Sequence, residues 1–161
     1  MRRQLAFCGT VLLLATACGA PPSTSSVAST IQCSDAAAPH HAYVVVQHLL
    51  GAWMESCVGF TSPTVDGQTL MDRSGIEYQS EPVASGKVVC QVDREPAHFD
   101  QCFPQGRPYW ALFVGSRSGW SSANGGYTEV VLSDGEALGW HYVAADDAHP
   151  APPPMPRRLG S

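Results

Sequence analysis

Cysteine placement constrains the fold of this 161-residue chain more than any other feature of its sequence. Cys8 lies in an N-terminal segment, residues 1–17, that begins with Arg2 and Arg3, continues with an apolar stretch over 5–15 and closes with small residues. This is the layout of a secretory signal peptide, and the apolar stretch is too short for an ordinary transmembrane helix. Removing the segment leaves five cysteines in an exported chain, a setting in which disulfides persist.

An odd cysteine remains once two disulfides are formed, and Cys18 directly follows the predicted signal. The leucines at 12–14 and the Ala-Thr-Ala at 15–17 resemble the lipobox of bacterial lipoproteins, in which the cysteine is lipidated and becomes the mature N-terminus. Two or more acyl chains hold a protein firmly at a membrane. We therefore expect a lipid anchor and a location on the outer face of the cytoplasmic membrane. The alternative is ordinary secretion, with Cys18 free or removed.

The other four cysteines allow three disulfide pairings. Cys90–Cys102 closes a small loop next to a predicted strand and is the first choice, and Cys33–Cys57 then follows by elimination. Disulfides that close loops of this size stabilise a fold by about 3 kcal/mol each. No Cys-x-x-Cys spacing is present, which disfavours a redox or metal-binding role for these residues.

Composition divides the chain into four parts. The signal peptide is followed by residues 18–41, whose small, polar and uncharged stretch predicts a flexible, lipidated tether. A single domain is expected over 42–145. The last segment, 146–161, contains five prolines and few residues that could pack, which predicts an extended, disordered tail.

The domain alternates strand signals with turn residues and contains one helix signal. Asp66 is placed to cap a short helix that carries Leu70 and Met71, and Gly75 is placed to end it. The expected order is ββαβββ with one or two further short strands, an α+β domain with one short helix packed on one face of a mixed or antiparallel sheet. The predicted strands lie, in chain order, at 43–46, 53–60, 87–92, 109–114, 127–131 and 139–143.

Charge excludes some partners. Without Arg2 and Arg3, which leave with the signal peptide, seven basic and fourteen acidic side chains remain, a formal net charge of −7. Neither a basic footprint for nucleic acid nor a polybasic stretch for anionic lipid is present, so no nucleic-acid partner is expected.

Catalytic and metal-binding patterns are also missing from the sequence. The six histidines show no His-x-x-x-His or His-Glu-x-x-His spacing, and the serines form no Gly-x-Ser-x-Gly turn. The carboxylates near 93–95 and 134–136 fall in predicted turns, where such groups ordinarily face water. We expect a protein that is not an enzyme and that has no metal site and no cofactor.

Aromatic side chains are the remaining candidates for a binding site. Trp120 lies in a Gly/Ser-rich segment predicted to be a loop, where an exposed tryptophan could contact a ligand or partner. Tyr109, Trp110 and Trp140 lie in predicted strands close to it in sequence. The alternative is that these rings pack the core and cover the edge of the sheet.

Several segments, taken in order, resemble small secreted actinobacterial proteins of the transcobalamin C-terminal-like class. The matching segments are DGQTLMDRSG at 66–75, VCQVDREP at 89–96, Cys102, PYWALFV at 108–114, LSDGE at 132–136 and GWHY at 139–142. The resemblance implies a ubiquitin-like β-grasp fold and a binding or adhesion role. In transcobalamin-type proteins this domain caps a bound corrinoid against a second domain.

The leading hypothesis is therefore a non-catalytic, exported, lipid-anchored binding module at the bacterial cell surface. Its partner would be a protein, a cell-wall component or a small molecule. The alternative is a secreted protease inhibitor in which the Cys90–Cys102 disulfide rigidifies an exposed loop. That loop would present Arg94, or the tip formed by Phe99, Asp100 and Gln101, to a protease.

Overall fold

A six-stranded mixed sheet forms the centre of the molecule in the computed structural model, which describes residues 31–84 and 86–157. Two antiparallel hairpins flank a parallel pair of strands at its centre: β2 (His40–Gln47) pairs with β3 (Trp53–Phe60), β7 (Tyr109–Ser116) pairs with β8 (Gly119–Ser122), and β2 runs parallel to β10 (Ala137–Val143). The α+β class predicted from the sequence is confirmed. In spatial order the strands are β1 (Cys33–Ser34), β3 (Trp53–Phe60), β2 (His40–Gln47), β10 (Ala137–Val143), β7 (Tyr109–Ser116) and β8 (Gly119–Ser122).

The remaining elements cover one face of this sheet. They are α1 (Gly67–Ser74), a 3-10 helix (Tyr127–Glu129), the paired strands β4 (Thr64–Asp66) and β9 (Val131–Ser133), and the hairpin of β5 (Tyr78–Val83) with β6 (Gly86–Val92). Their apolar side chains, among them Leu70, Met71 and Leu132, form one core with Val44, Val46 and Leu138 of the sheet. The burial of this apolar surface is the main force that holds the two layers together.

Helix α1 begins and ends where the sequence predicts. The Asp66 carboxylate accepts hydrogen bonds from the Thr69 backbone N–H and from the Thr69 hydroxyl, both at 2.8 Å. These two bonds hold the pKa of Asp66 below its ordinary value. Gly75 closes the helix in the left-handed conformation, at φ 76°. No helix in the described part of the chain is long and apolar enough to cross a membrane.

The prediction of a strand over 127–131 is wrong for most of its length. Tyr127 opens a 3-10 turn instead, in which the Glu129 N–H bonds to the Gly126 carbonyl at 3.0 Å. The turn directs the Tyr127 ring into the core, where it lies against Trp140 with ring centroids 5.9 Å apart. β9 starts only at Val131. Five short strands are not individually predicted from the sequence: β1, β4, β5, β8 and β9.

Both predicted boundaries of the domain are also wrong. At the N-terminal side, Cys33 pairs in register with Cys57 and is joined to it by a disulfide, and β2 already starts at His40. The fold therefore includes residues 31–41, which were predicted to be tether. The signal peptide, Cys18 and the rest of the tether lie outside the described residues.

The C-terminal segment, residues 146–157, lies against the sheet instead of being disordered. Pro153 and Pro156 are buried, and His141 Nδ1 lies 2.7 Å from the Ala151 carbonyl oxygen. The physical reason is that the second face of the sheet is apolar too and needs a cover. Proline suits this position because it adds apolar surface without a backbone N–H that would need a partner.

Arg157 binds the end of this segment to β3. Its backbone N–H donates to a Glu55 carboxylate oxygen at 2.9 Å, and its guanidinium forms an ion pair with the same carboxylate. The Glu55 side chain is only 2% exposed. The Arg157 guanidinium also lies over the Trp53 ring, 5.7 Å from the centroid.

Arg157→Ala should lower the free energy of unfolding by about 2 kcal/mol, because it leaves a buried carboxylate without its cation. Urea unfolding followed by circular dichroism measures the loss. Arg117→Ala, which removes an exposed arginine from the β7–β8 turn, is the matched control and should change stability by less than about 0.5 kcal/mol.

Adding Glu55→Gln to Arg157→Ala should recover part of the stability, because the uncompensated buried charge is then gone. Equal stability of Arg157→Ala and the wild type would contradict the docking of the C-terminal segment.

Candidate functional site

Two clefts lie where β6, in the hairpin that covers the central sheet, passes β7 of that sheet. β6 pairs with β5 and forms no ladder with β7, so the two strands diverge. One cleft, here called the loop cleft, has a volume of about 300 Å³ and lies under the loop closed by Cys90–Cys102. The other, the strand cleft, has a volume of about 240 Å³ and lies between β6 and β7. Tyr109 and Trp110 line both clefts.

The Cys90–Cys102 disulfide holds the outer wall of the loop cleft. It connects the buried end of β6 to a residue twelve positions further along the chain, so the intervening loop returns to the strand it left. Both disulfides that the sequence analysis favoured are present. The lining side chains of the loop cleft come from this loop and from the strands beneath it: Cys90, Pro96, His98, Phe99, Asp100, Gln101, Cys102, Pro104, Arg107, Pro108, Tyr109, Trp110 and Tyr142.

The start of this loop has a strained backbone. Asp93 and Arg94 adopt positive φ angles of 44° and 63°, a region that non-glycine residues rarely occupy. The turn is held by two hydrogen bonds between Val92 and Glu95, at 2.9 and 3.0 Å. Surrounding structure therefore fixes a conformation that the isolated segment would disfavour.

His48, the residue after β2, connects this turn to the sheet. Its Nδ1 lies 2.7 Å from a Glu95 carboxylate oxygen, and its Nε2 lies 3.3 Å from the Asp93 carboxylate. A neutral imidazole has one N–H, so only the protonated ring can donate to both carboxylates. The Glu95 carbonyl in turn accepts a hydrogen bond from the Trp110 indole N–H at 3.1 Å. His48 and Glu95 thereby fix the ring that lines both clefts.

The floor of the loop cleft combines aromatic carbon with a phenol. The rings of Trp110 and Tyr142 lie 4.8 Å apart between centroids. Burial raises the pKa of the Tyr142 phenol, and the nearby Glu95 charge raises it further, whereas Arg107 acts in the opposite direction. Tyr142 consequently stays a neutral hydroxyl at physiological pH, while Asp100 and Arg107 supply one charge of each sign to the lining.

Three of the four aromatic residues singled out from the sequence line one site. Tyr109, Trp110 and Trp140 all line the strand cleft. Phe103 lines it too, with its ring 5.5 Å from that of Tyr109, although the sequence analysis did not select it. The missed residues, Phe103 and His48 among them, lie in a loop or at the end of a strand, where no periodic pattern marks them.

Trp120 does not join this group, and the prediction that it stands in an exposed loop is wrong. It belongs to β8, which pairs with β7, and its ring lies on the opposite face of the sheet from Trp110 and Trp140, in a cluster that Tyr109 also joins. The ring fits there because Gly115 and Gly139 have no side chain: a Cβ atom at either position would lie 2.7 Å from Trp120 Cζ3. Trp120 therefore covers the sheet.

The loop proposed for the inhibitor alternative has an unfavourable shape at its exposed arginine. Peptides that bind a protein by adding a strand do so in an extended conformation. Arg94 is exposed, but its backbone is left-handed. Phe99, Asp100 and Gln101 line the loop cleft. This geometry argues against Arg94 as a residue presented to a protease.

One group of possible metal ligands occurs among residues 31–84 and 86–157, formed by Glu81, Cys90 and Cys102. Metal ions bind cysteine as the thiolate. Because the two sulfurs are joined in a disulfide, they are not available in that form.

Comparison with known proteins gives little to add to this geometry. No protein-family model matches the chain, and no curated protein matches it. A solved structure from Ruminococcus gnavus, described as a "putative metal binding protein", is similar with a TM-score of 0.46 and 16% sequence identity. The match covers 63% of this chain and 94% of that chain. At this level of likeness, a shared ligand does not follow from the shared shape.

Replacing both cysteines of the loop, in Cys90→Ala/Cys102→Ala, should lower the free energy of unfolding by about 3 kcal/mol. It should also speed hydrogen exchange at the Trp110 indole N–H, because the loop that contains Glu95 is released. Urea unfolding and NMR exchange measure the two effects. Cys33→Ala/Cys57→Ala is the control: a similar loss of stability is expected, without selective exposure of Trp110. Equal exchange at Trp110 in both variants would contradict the role given to the loop.

Proposed function

We propose that this protein is a non-catalytic, exported binding module that takes a small molecule into the clefts beside Tyr109 and Trp110. The observation that carries the proposal is the gap between β6 and β7, with its aromatic walls and its disulfide-closed rim. Small-molecule sites are concave, mostly apolar and largely pre-formed, with a few polar groups that fix orientation. Each cleft is at or just below the small end of the usual range of about 300–1,000 Å³, which favours a compact ligand.

The lining favours a ligand with one flat apolar part and one charged or polar group. Trp110, Tyr142 and Phe103 offer aromatic surface, and Arg107 and the Tyr142 hydroxyl offer donors to an anionic or carbonyl group. The polar contacts that hold Trp110 in place, through Glu95 and His48, keep this surface ordered before a ligand arrives.

We also propose a β-grasp classification for the fold. The strand order β3-β2-β10-β7-β8, with α1 following the first hairpin and β10 inserted parallel to β2, supports it. This is the fold that the sequence resemblance to the transcobalamin C-terminal-like class implies.

Export and anchoring at the cell surface complete the proposal. Two disulfides are consistent with an oxidising compartment, and the segment around Cys18 has the features of a lipidation signal. The membrane would then be one partner, reached through the lipid, and the ligand of the clefts would be the second.

Anilinonaphthalene sulfonate, an aromatic anion, is a direct probe of the clefts. We expect it to bind one-to-one, with a fluorescence increase, and to perturb the indole N–H signals of Trp110 and Trp140 more than that of Trp120. Phe103→Ala and Arg107→Ala should each weaken binding three- to tenfold, because one removes exposed aromatic surface and the other a cation. Arg117→Ala is the control for lost charge. Undiminished binding in both cleft variants would refute the proposed site.

Cys18→Ser tests the anchor separately. In cells that process lipoproteins, this substitution should move the protein from the membrane fraction to the medium, because no acyl chain can be attached. Immunoblotting of the two fractions measures the change, and Cys8→Ser within the signal peptide is the matched control. Continued membrane association of the Cys18→Ser protein would refute a lipid anchor at this residue.

A further inference from the structure

The connection between β2 and β3 exposes apolar side chains. Leu50 is 95% exposed and Leu49 is 41% exposed, and Trp53 at the start of β3 is also partly exposed. The turn itself is well ordered by hydrogen bonds from the Gly51 N–H to the His48 carbonyl, 2.9 Å, and from the His48 N–H to the Ala52 carbonyl, 2.8 Å. We call residues 48–53 the hairpin tip. Leaving two leucines in water is unfavourable unless another surface covers them.

The first described residues lie on the hairpin-tip side of their strand. β1 runs parallel to β3 with Cys33 opposite Cys57, and β3 begins at the hairpin tip, so Ile31 precedes β1 on the side of the tip. Twelve residues separate Ile31 from Cys18. A chain of this length reaches at most roughly 45 Å. A lipid at Cys18 would thus limit the distance of Ile31 from the bilayer surface to roughly this length.

Other exposed groups lie at this end as well. Arg157 contacts Glu55 and lies over the Trp53 ring. β7 begins here, because Tyr109 pairs with Val143 at the end of β10, and the exposed Phe103 ring packs on Tyr109. Val131, which is exposed, lies at the opposite end of the sheet. It belongs to β9, whose partner β4 follows the end of β3.

We propose that the hairpin tip is a membrane-contact site, in which Leu49, Leu50 and Trp53 enter the interfacial layer of the bilayer that holds the lipid anchor. The proposal rests on the proposed anchoring at Cys18. Two leucines and one tryptophan give weak membrane affinity by themselves, since even one myristoyl chain binds only marginally. Once the anchor holds the protein at the membrane, contact between the hairpin tip and the same bilayer is intramolecular. A short tether then gives the tip a high effective concentration at the bilayer. Tryptophan is enriched at membrane–water interfaces.

Local charge indicates the kind of lipid surface. The turn beside the tip contains Asp93 and Glu95 together with Arg94, and the Glu55–Arg157 pair lies on the other side. The acidic groups at least balance the basic ones, so anionic lipid gives no electrostatic gain. Insertion should therefore depend on buried apolar area and occur at zwitterionic lipid, with little sensitivity to salt.

The test uses the lipidated full chain reconstituted into phosphatidylcholine vesicles, with bromine-labelled acyl chains as a fluorescence quencher. We expect the protein to float with the vesicles and its tryptophan emission to be quenched. Trp53→Phe should lose most of the quenching, because the other tryptophans are more buried. Leu49→Ser/Leu50→Ser should float as well as the wild type but lose most of the quenching. Val131→Ser, an exposed apolar residue at the opposite end, is the matched control and should retain it.

The outcomes separate the two proposals. A wild-type chain that floats without quenching through Trp53 overturns the membrane-contact site and leaves the anchor intact. A wild-type chain that fails to float overturns the anchor and, with it, the contact site that depends on it. Concentration-dependent dimers that disappear in Leu49→Ser/Leu50→Ser, without quenching in the wild type, would assign the hairpin tip to a second copy of the chain and overturn the proposal.

Discussion

β2 and β10 lie side by side in parallel at the centre of the sheet, with Tyr43 opposite Ala137 and Gln47 opposite His141. This pairing joins the first long strand of the domain to its last; β3 and β7 pair with these two strands, and β1 and β8 complete the sheet on either side. At this position β2 is buried on both faces of the sheet: Val44 and Val46 face the helix layer, while Tyr43 packs on the other side. A strand buried on both faces needs two covers. The first is formed by α1 and the small sheets, and the second by Ile31, Trp120 and the segment 146–157.

The clefts follow from how this centre is extended towards β8. β7 pairs with β10 over residues 109–115 on one side, but with β8 only over 113–116 on the other, so its outer edge at 109–112 has no strand partner among the described residues. β6 pairs only with β5 and does not extend the sheet at this edge, and both clefts lie beside this part of β7. The strand topology thus leaves the space open, and the loop closed by Cys90–Cys102 forms the outer wall of one cleft.

The features that the sequence predicts correctly are those that depend on residues close together in the chain. The Asp66 cap and the Gly75 ending of α1 are properties of a few neighbouring residues, and the Cys90–Cys102 pairing is close in sequence. The positions that could not be predicted depend on contacts distant in sequence. Trp120 lies in a strand because two glycines on neighbouring strands leave room for its ring, and 146–157 is ordered because the second face needs a cover. For the site, aromatic content indicated Tyr109, Trp110 and Trp140, whereas the links through His48 and Glu95 connect elements almost fifty residues apart.

The position of the two ends of the described chain has a practical consequence. Ile31 packs against the cluster that contains Cys57, and Arg157 binds the Glu55 carboxylate, so both ends of the described chain lie at β3. Chain ends that lie this close can be joined by a short linker and the chain reopened at an exposed turn. Arg117 and Ser118, between β7 and β8, form such a turn at the other end of the sheet. A circular permutant opened there would keep all the main sheet pairings, and would offer attachment points facing away from the clefts.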